Sequence, residues 1–360
     1  MSHSQSHNIL LTGVSGYLGG TLLAHLHTQA NSSPYKSLYA LVRSEQQASA
    51  VREYGAKPII LNLNDPLSIS KTLIEKEISV VFFLIDAFNV HVQKTMIEAL
   101  GHVRQRTGRD VHFLHTTGAK AFSSHVGIDS VLAPEGKLLD TDPRLYEIQQ
   151  TTTAPEEYGW FTQIARTNTV IIDTAEAHGV KSYIFVPCIV YGEGKGFGNK
   201  ISIQDVAIVK AARAAGRVYK VDDGKPVWPV SHIYDTTTLY CQILQQILSG
   251  HEIGHGKEGF YLAASGCVAW DDIYSAFAVA LHKRGLIQDA TIEMANEEAV
   301  EKMAKGLDPG NGNVRIQLGG ECNFTAVHGE KIGWKAVYPP EYILEIADEE
   351  VDLILKTLDS

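Results

Sequence analysis

The chain has 360 residues, with 31 lysines and arginines against 41 aspartates and glutamates, for a formal net charge of −10. That length can bury a large core in one big domain or two smaller ones. The acidic balance argues against a broad surface for nucleic acid or anionic membrane. The four cysteines, Cys188, Cys241, Cys267 and Cys322, are widely spaced and form no Cys-x-x-Cys pair. A disulfide framework and a structural zinc site are therefore not expected.

The first eight residues, Met-Ser-His-Ser-Gln-Ser-His-Asn, are polar and lack the basic-then-apolar order of a signal peptide. The longest strongly apolar run, Val80 to Ile85, is far too short to span a bilayer. A cytoplasmic protein with no membrane partner is the expectation. Next comes the most informative stretch, from Asn8 to Leu23. Ile9, Leu10 and Leu11 read as a short strand; Leu18, Leu22 and Leu26 follow at helical spacing. Between them lies Gly13-x-x-Gly16-x-x-Gly19. Gly13 allows the tight turn, Gly16 lets the backbone approach a pyrophosphate, and Gly19 lets the helix pack close to the sheet. The helix's free N–H groups and positive dipole end then face the phosphates.

Ser37 to Val42, Pro58 to Leu61, Val80 to Ile85, Val111 to His115 and Ser182 to Val186 read as buried parallel strands. Helices such as Val92 to Arg106 and Arg166 to His178 separate them. This alternation implies an α/β fold of Rossmann type, a doubly wound parallel sheet with right-handed crossovers. After Tyr191 the pattern changes to a glycine-rich loop, then helices over Asp205 to Ala215, Ile233 to Leu248 and Asp271 to His282. The expected organisation is a dinucleotide-binding domain over 1–190, taking some strand from beyond 190, and a smaller C-terminal substrate-binding lobe over 191–360. His251-Glu-Ile-Gly-His255 matches the zinc-peptidase pattern, but Gly250, Gly254 and Gly256 make it a loop rather than the rigid helix that chemistry needs. No metal is expected. Asp235 is expected to cap the helix that follows it, with His232 also structural.

Several segments together resemble the extended short-chain dehydrogenase/reductases. Thr12-Gly-Val-Ser-Gly-Tyr-Leu-Gly is similar to their TGxxGxxG turn, and Leu41-Val-Arg43-Ser to the end of the second strand in members using NADP. Asn62-Leu-Asn-Asp-Pro stands where they usually carry an Asp-Leu beside the adenine. His115-Thr-Thr-Gly-Ala resembles the segment bearing the active-site Ser/Thr. Val186-Pro-Cys-Ile-Val-Tyr-Gly and Trp228-Pro-Val-Ser-His-Ile-Tyr-Asp235 resemble two later landmarks. The resemblance implies an NADP(H) site formed by Gly13, Ser15, Gly16, Tyr17, Leu18, Gly19, Arg43, Asn62, Leu63, Leu84, Ile85, Thr116, Pro187 and Cys188. Arg43 stands where an NAD-specific protein would carry an acid, and it can meet a 2′-phosphate with charge-assisted hydrogen bonds.

One departure from the family is large. Its acid catalyst is a Tyr with a Lys four residues on, and counting back from Pro187 puts that pair at Trp160 and Ile164. Neither side chain can relay a proton. No Lys lies between Lys137 and Lys181, so a small shift of alignment does not restore the pair. Two hydroxyls remain as catalytic candidates, Thr117 at the end of the fifth strand and Tyr158 just before the helix. Thr116 is an equal alternative to Thr117, because neighbouring strand residues point to opposite faces. The sequence thus reads as an NADP(H)-dependent reductase of a carbonyl, imine or conjugated double bond in a small organic molecule. The alternatives are a non-redox isomerase, dehydratase or cyclase on the same scaffold, and a dinucleotide-sensing regulator of the NmrA type. The oligomeric state is left open.

Overall fold

The computed structural model describes residues 6–29, 35–129, 133, 135–307 and 313–358. The first part alternates strictly: β1 (Asn8–Leu11), α1 (Tyr17–Thr28), β2 (Ser37–Val42), α2 (Glu45–Glu53), β3 (Lys57–Ile60), α3 (Pro66–Glu75), β4 (Ile78–Phe83), α4 (His91–Thr107) and β5 (His112–Thr116). Next come β6 (Leu138–Leu139), α5 (Leu145–Thr151), α6 (Thr162–Ala177), β7 (Lys181–Pro187) and β8 (Ile189–Tyr191). The second half holds α7 (Gln204–Ala215), β9 (Tyr219–Lys220), β10 (Val227–His232), α8 (Ile233–Leu248), β11 (Phe260–Ala263), β12 (Gly266–Ala269) and α9 (Trp270–Lys283). The chain closes with β13 (Glu293–Met294), α10 (Glu297–Gly306), α11 (Val314–Leu318), β14 (Phe324–Thr325), α12 (Val327–Lys331), α13 (Tyr342–Glu345) and α14 (Ala347–Leu358).

Seven parallel strands form the main sheet in the order β11-β7-β5-β4-β1-β2-β3. All six residues of β4 are buried, as expected for a strand covered on both faces. Its side chains alternate between two layers. Val81 and Phe83 join one apolar cluster, and Val80 and Phe82 the other. Local signals fix the helix starts. Ser44 caps α2 by accepting from Gln47 N, and Asp65 caps α3 by accepting from Ser68 N, with Pro66 at the first helical position.

The strand order reverses between β1 and β4, so the crevice beyond their carboxyl ends is the topological switch point. β11 returns from the second half to extend the main sheet beside β7. A smaller sheet, β12-β10-β8, flanks that end of the molecule. The structure corrects one capping assignment. His232, not Asp235, caps α8, accepting from Tyr234 N at 3.2 Å. Asp235 lies inside the first turn, where its carboxylate accepts from Val337 N and Tyr338 N and ties the C-terminal segment down.

Candidate cofactor and substrate site

The glycine turn sits at the switch point, and each glycine has a separate reason to be there. Gly13 has φ +69°, a left-handed conformation, and a Cβ on it would lie 2.6 Å from Leu84 O. A Cβ on Gly19 would run into Gly13 O, so this glycine sets the closeness of α1 to the turn. Gly16 caps α1 in an extended conformation (φ −86°, ψ 172°). A Cβ there would meet only Gly13 O, at 3.1 Å, with open space beyond. The turn is tied to the neighbouring strand by Leu84 N donating to Thr12 Oγ1 at 2.9 Å. These features fit a nicotinamide dinucleotide. A backbone without side-chain bulk opens at a helix N-terminus, where a pyrophosphate would be held by N–H groups.

A strap from the second half, residues 192–200, lies against this turn. Asn199 N donates to Ser15 O at 3.0 Å, and Lys195 N donates to Thr21 Oγ1 at 3.1 Å. Gly196 packs on Gly20 so closely that a Cβ would sit 2.6 Å from the Gly20 Cα. Tyr17, the first residue of α1, donates its hydroxyl to Gly192 O at 2.5 Å. Burial pushes its phenol well above the ordinary range, so Tyr17 is a structural tie rather than an acid.

The adenine end is open. Arg43 is exposed just past β2, and its side chain has no ion pair among the described residues. Its backbone N donates to Gln47 Oε1. Asn62 Oδ1 accepts from Asn64 N, closing a turn, and Leu63 beside it is half-buried. β4 stops at Phe83, two residues earlier than expected, so Leu84 and the exposed Ile85 lie beyond the strand at the crevice.

At the other end is a cavity of about 280 Å³. Its wall includes Tyr17 and Leu18 from α1, Thr117 to Lys120 after β5, Pro187 at the end of β7 and Cys188 just beyond it, and Trp228 from β10. Phe88, Trp160, Phe161 and Ile164 close one side; Ile203, Gln204, Ala207, Ile316 and Gln317 close another. Trp160 is 54% exposed and stacks on Phe88 with ring centres 5.8 Å apart. Thus both residues at the counted positions of the family's catalytic pair, Trp160 and Ile164, do face the site.

The two threonines divide as strand alternation requires. Thr116 Oγ1 is bonded to Tyr240 OH at 2.8 Å and is absent from the cavity wall. Thr117 lines the cavity, its backbone N fixed to Phe185 O, and its buried Oγ1 has no hydrogen-bond partner among the described residues. Cys188 Sγ is turned to Ala263 O, and burial raises its thiol, so it is inert packing. Tyr158 does not line the cavity. It sits in the 3-10 turn Glu156–Phe161 with its ring edge-on to His125, and burial with the Glu157 charge pushes its phenol up to about 12. Its position gives it a packing role, against the expectation of an acid catalyst.

Sequence reasoning overlooked Lys120. It follows Thr117 by three residues, in the 3-10 turn Ala119–Phe122, and lines the cavity. The family carries its lysine on the helix before β7, while this lysine arrives from the end of β5. A lysine among Gly118, Ala119, Ala121 and Phe122, directly after a buried strand, was the available signal. The His251 and His255 pair lies in a loop, as read, and the two imidazoles bond to different side chains, Gln246 and Glu252.

A doubly wound sheet with a glycine turn at its switch point is the architecture of a dinucleotide-binding protein. The chain belongs to the NAD dependent epimerase/dehydratase family, whose model matches residues 9–255. It is an enzyme of that superfamily, with a nicotinamide dinucleotide cofactor and a small-molecule substrate. An uncharacterized protein of Schizosaccharomyces pombe is 22% identical over 248 residues, covering 67% of this chain and 72% of the relative. The fold is similar to that of UDP-glucose 4-epimerase from Thermotoga maritima, at TM-score 0.60 and 15% identity over 98% of this chain and 99% of that one. It is also similar to vestitone reductase from alfalfa, at TM-score 0.58 and 12% identity over 98% and 99%. Among the described residues, no helix is long and apolar enough to cross a membrane.

Proposed function

We propose that the protein is an NADP(H)-dependent reductase of a carbonyl, imine or conjugated double bond in a small organic molecule. The observation that carries this reading is the unpartnered Thr117 hydroxyl on the wall of an aromatic cavity, beside the glycine-turn residues Tyr17 and Leu18. Bound along the crevice, the dinucleotide supplies a hydride. The chain's own residues do the rest. The turn from Gly13 to Gly19 holds the pyrophosphate, and Arg43 takes the 2′-phosphate. Thr117 Oγ1 donates a hydrogen bond to the acceptor's oxygen or nitrogen and orients it, and the proton that balances the hydride is drawn from solvent as the product leaves. Trp160, Phe161, Phe88 and Trp228 give a flat substrate its apolar surface and exclude water. An imine or conjugated acceptor asks less of a strong acid, which suits a cavity where Trp160 and Ile164 replace a proton relay.

The cofactor part is tested by titrating wild type and Arg43→Ala with NADPH and NADH. A charge-assisted contact of roughly 1.5–3 kcal/mol gives NADPH an advantage of about tenfold or more. The advantage should vanish in Arg43→Ala. Equal affinities in the wild type would refute the NADP assignment.

A further inference from the structure

Among the described residues, Lys120 is the one cationic side chain on the cavity wall, and the rest of that wall is mostly aromatic and aliphatic. It makes no ion pair with any described residue. The groups that face it offer no negative charge. His125, on the same segment, is held neutral by burial and by Lys120 itself, its imidazole lowered to about 4. Tyr17 and Cys188 across the cavity are both kept neutral by burial. Burial lowers the Lys120 ammonium to about 8, which still leaves it charged at neutral pH. Lys120 is half-buried, and a partly desolvated charge without a counter-ion is costly; none of the described residues supplies one.

We infer that the missing counter-ion is the substrate's: the cavity takes a flat, apolar organic acid whose carboxylate pairs with Lys120 while its hydrophobic body lies against Trp160 and Phe161. This names the substrate class for the proposed reductase site and rests on that reading only for the reaction, not for the binding. The carboxylate oxygens accept from the Lys120 ammonium in a poorly hydrated setting, where such a bond is stronger than on an open surface. Thr117, three residues earlier on the same segment, is left to address the reducible bond. Pairing adds no bond and moves no electron; it sets which molecules stay.

The test uses trans-cinnamate and cinnamamide, which share a shape and differ in charge, titrated calorimetrically into the full chain with and without NADP⁺. Wild type should bind cinnamate about tenfold or more tightly than cinnamamide at pH 7. The advantage should fall away as the pH rises through about 8, where the ammonium loses its proton. Lys120→Met should bind the two alike, and Lys120→Arg should retain the preference for the acid. Equal binding by wild type, binding of neither, or a preference that survives Lys120→Met would overturn the inference. So would a Lys120→Met variant that loses affinity for NADP⁺ but not for cinnamate, because the cation would then belong to the cofactor. An assay of NADPH oxidation by the same protein separates the two claims. A preference for the acid in protein that oxidises no NADPH supports the inference and counts against the reductase. No preference in protein that does oxidise NADPH overturns the inference alone.

Discussion

Replacing two glycines of the same turn should have opposite consequences. Gly16 is extended, in a region open to every residue, and its Cβ position touches nothing but Gly13 O at 3.1 Å. Gly16→Val therefore costs the fold about 1 kcal/mol or less, mainly as a poorer helix N-cap. Its side chain points into the space that the pyrophosphate would use. Losing about two charged hydrogen bonds to backbone N–H groups, at roughly 1.5–3 kcal/mol each, weakens NADPH binding by ~10²–10⁴-fold. At Gly19 the added Cβ instead overlaps Gly13 O, with Gly13 C at 2.7 Å. Gly19→Ala should therefore destabilise the protein by about 1–3 kcal/mol, lowering Tm by roughly 2–6 °C, because α1 must move off the turn. Thermal melts without cofactor and fluorescence titrations with NADPH read the two effects separately. A Gly16→Val protein that binds NADPH within about tenfold of wild type, or a Gly19→Ala protein that melts with wild type, would refute the assignment of roles.

Two further outcomes follow from buried groups. Asp205 and Glu350 lie together beside Tyr17, and burial raises both carboxyls above their ordinary range; both Asp205 oxygens and Glu350 Oε2 have no hydrogen-bond partner among the described residues. The folded state therefore holds protons that the unfolded chain releases, so stability is fully present below the ordinary carboxylate pKa and falls as pH rises through the raised value. Glu350→Gln, which keeps an acceptor for Gly192 N, should flatten that decline and gain about 1–3 kcal/mol at pH 8. Parallel melting profiles against pH would contradict this. Thr117→Val removes a hydroxyl that bonds to none of the described residues, so Tm should hold while kcat drops by about 10²–10³-fold on a reducible substrate. An unchanged kcat would remove Thr117 from the reaction.

The fold was legible because buried parallel strands write apolar runs, as the cores of β2, β4 and β7 do, while β5 shows only Phe113 and Leu114 between histidines. Their ends were less so. The apolar stretch continues through Leu84 and Ile85, yet pairing stops at Phe83, since only hydrogen bonding and not hydrophobicity ends a strand there. The glycine turn was fully readable, because each glycine answers a local steric demand. The cavity was readable only in part. Thr117, Trp160 and Ile164 could be placed by counting along the chain from landmarks. Lys120, Trp228 and Gln317 meet in it from segments that are far apart in sequence, and no periodicity encodes such a meeting. Tyr158 was misjudged because closeness in sequence to the vacated position says nothing of which way a ring turns, and this one turns toward His125. Asp235 was misjudged by one residue type, because His232 can cap a helix through Nδ1.

Transfer of label from C4-deuterated NADPH tests the central claim most directly. The protein would be incubated with a panel of flat conjugated, carbonyl and imine acids, and the products analysed by mass spectrometry. The account predicts one deuterium in the product for each NADPH oxidised, from one face of the nicotinamide only. A substrate converted with no deuterium gained and no NADPH consumed would contradict it, and would make this a non-redox enzyme on a dinucleotide-binding scaffold.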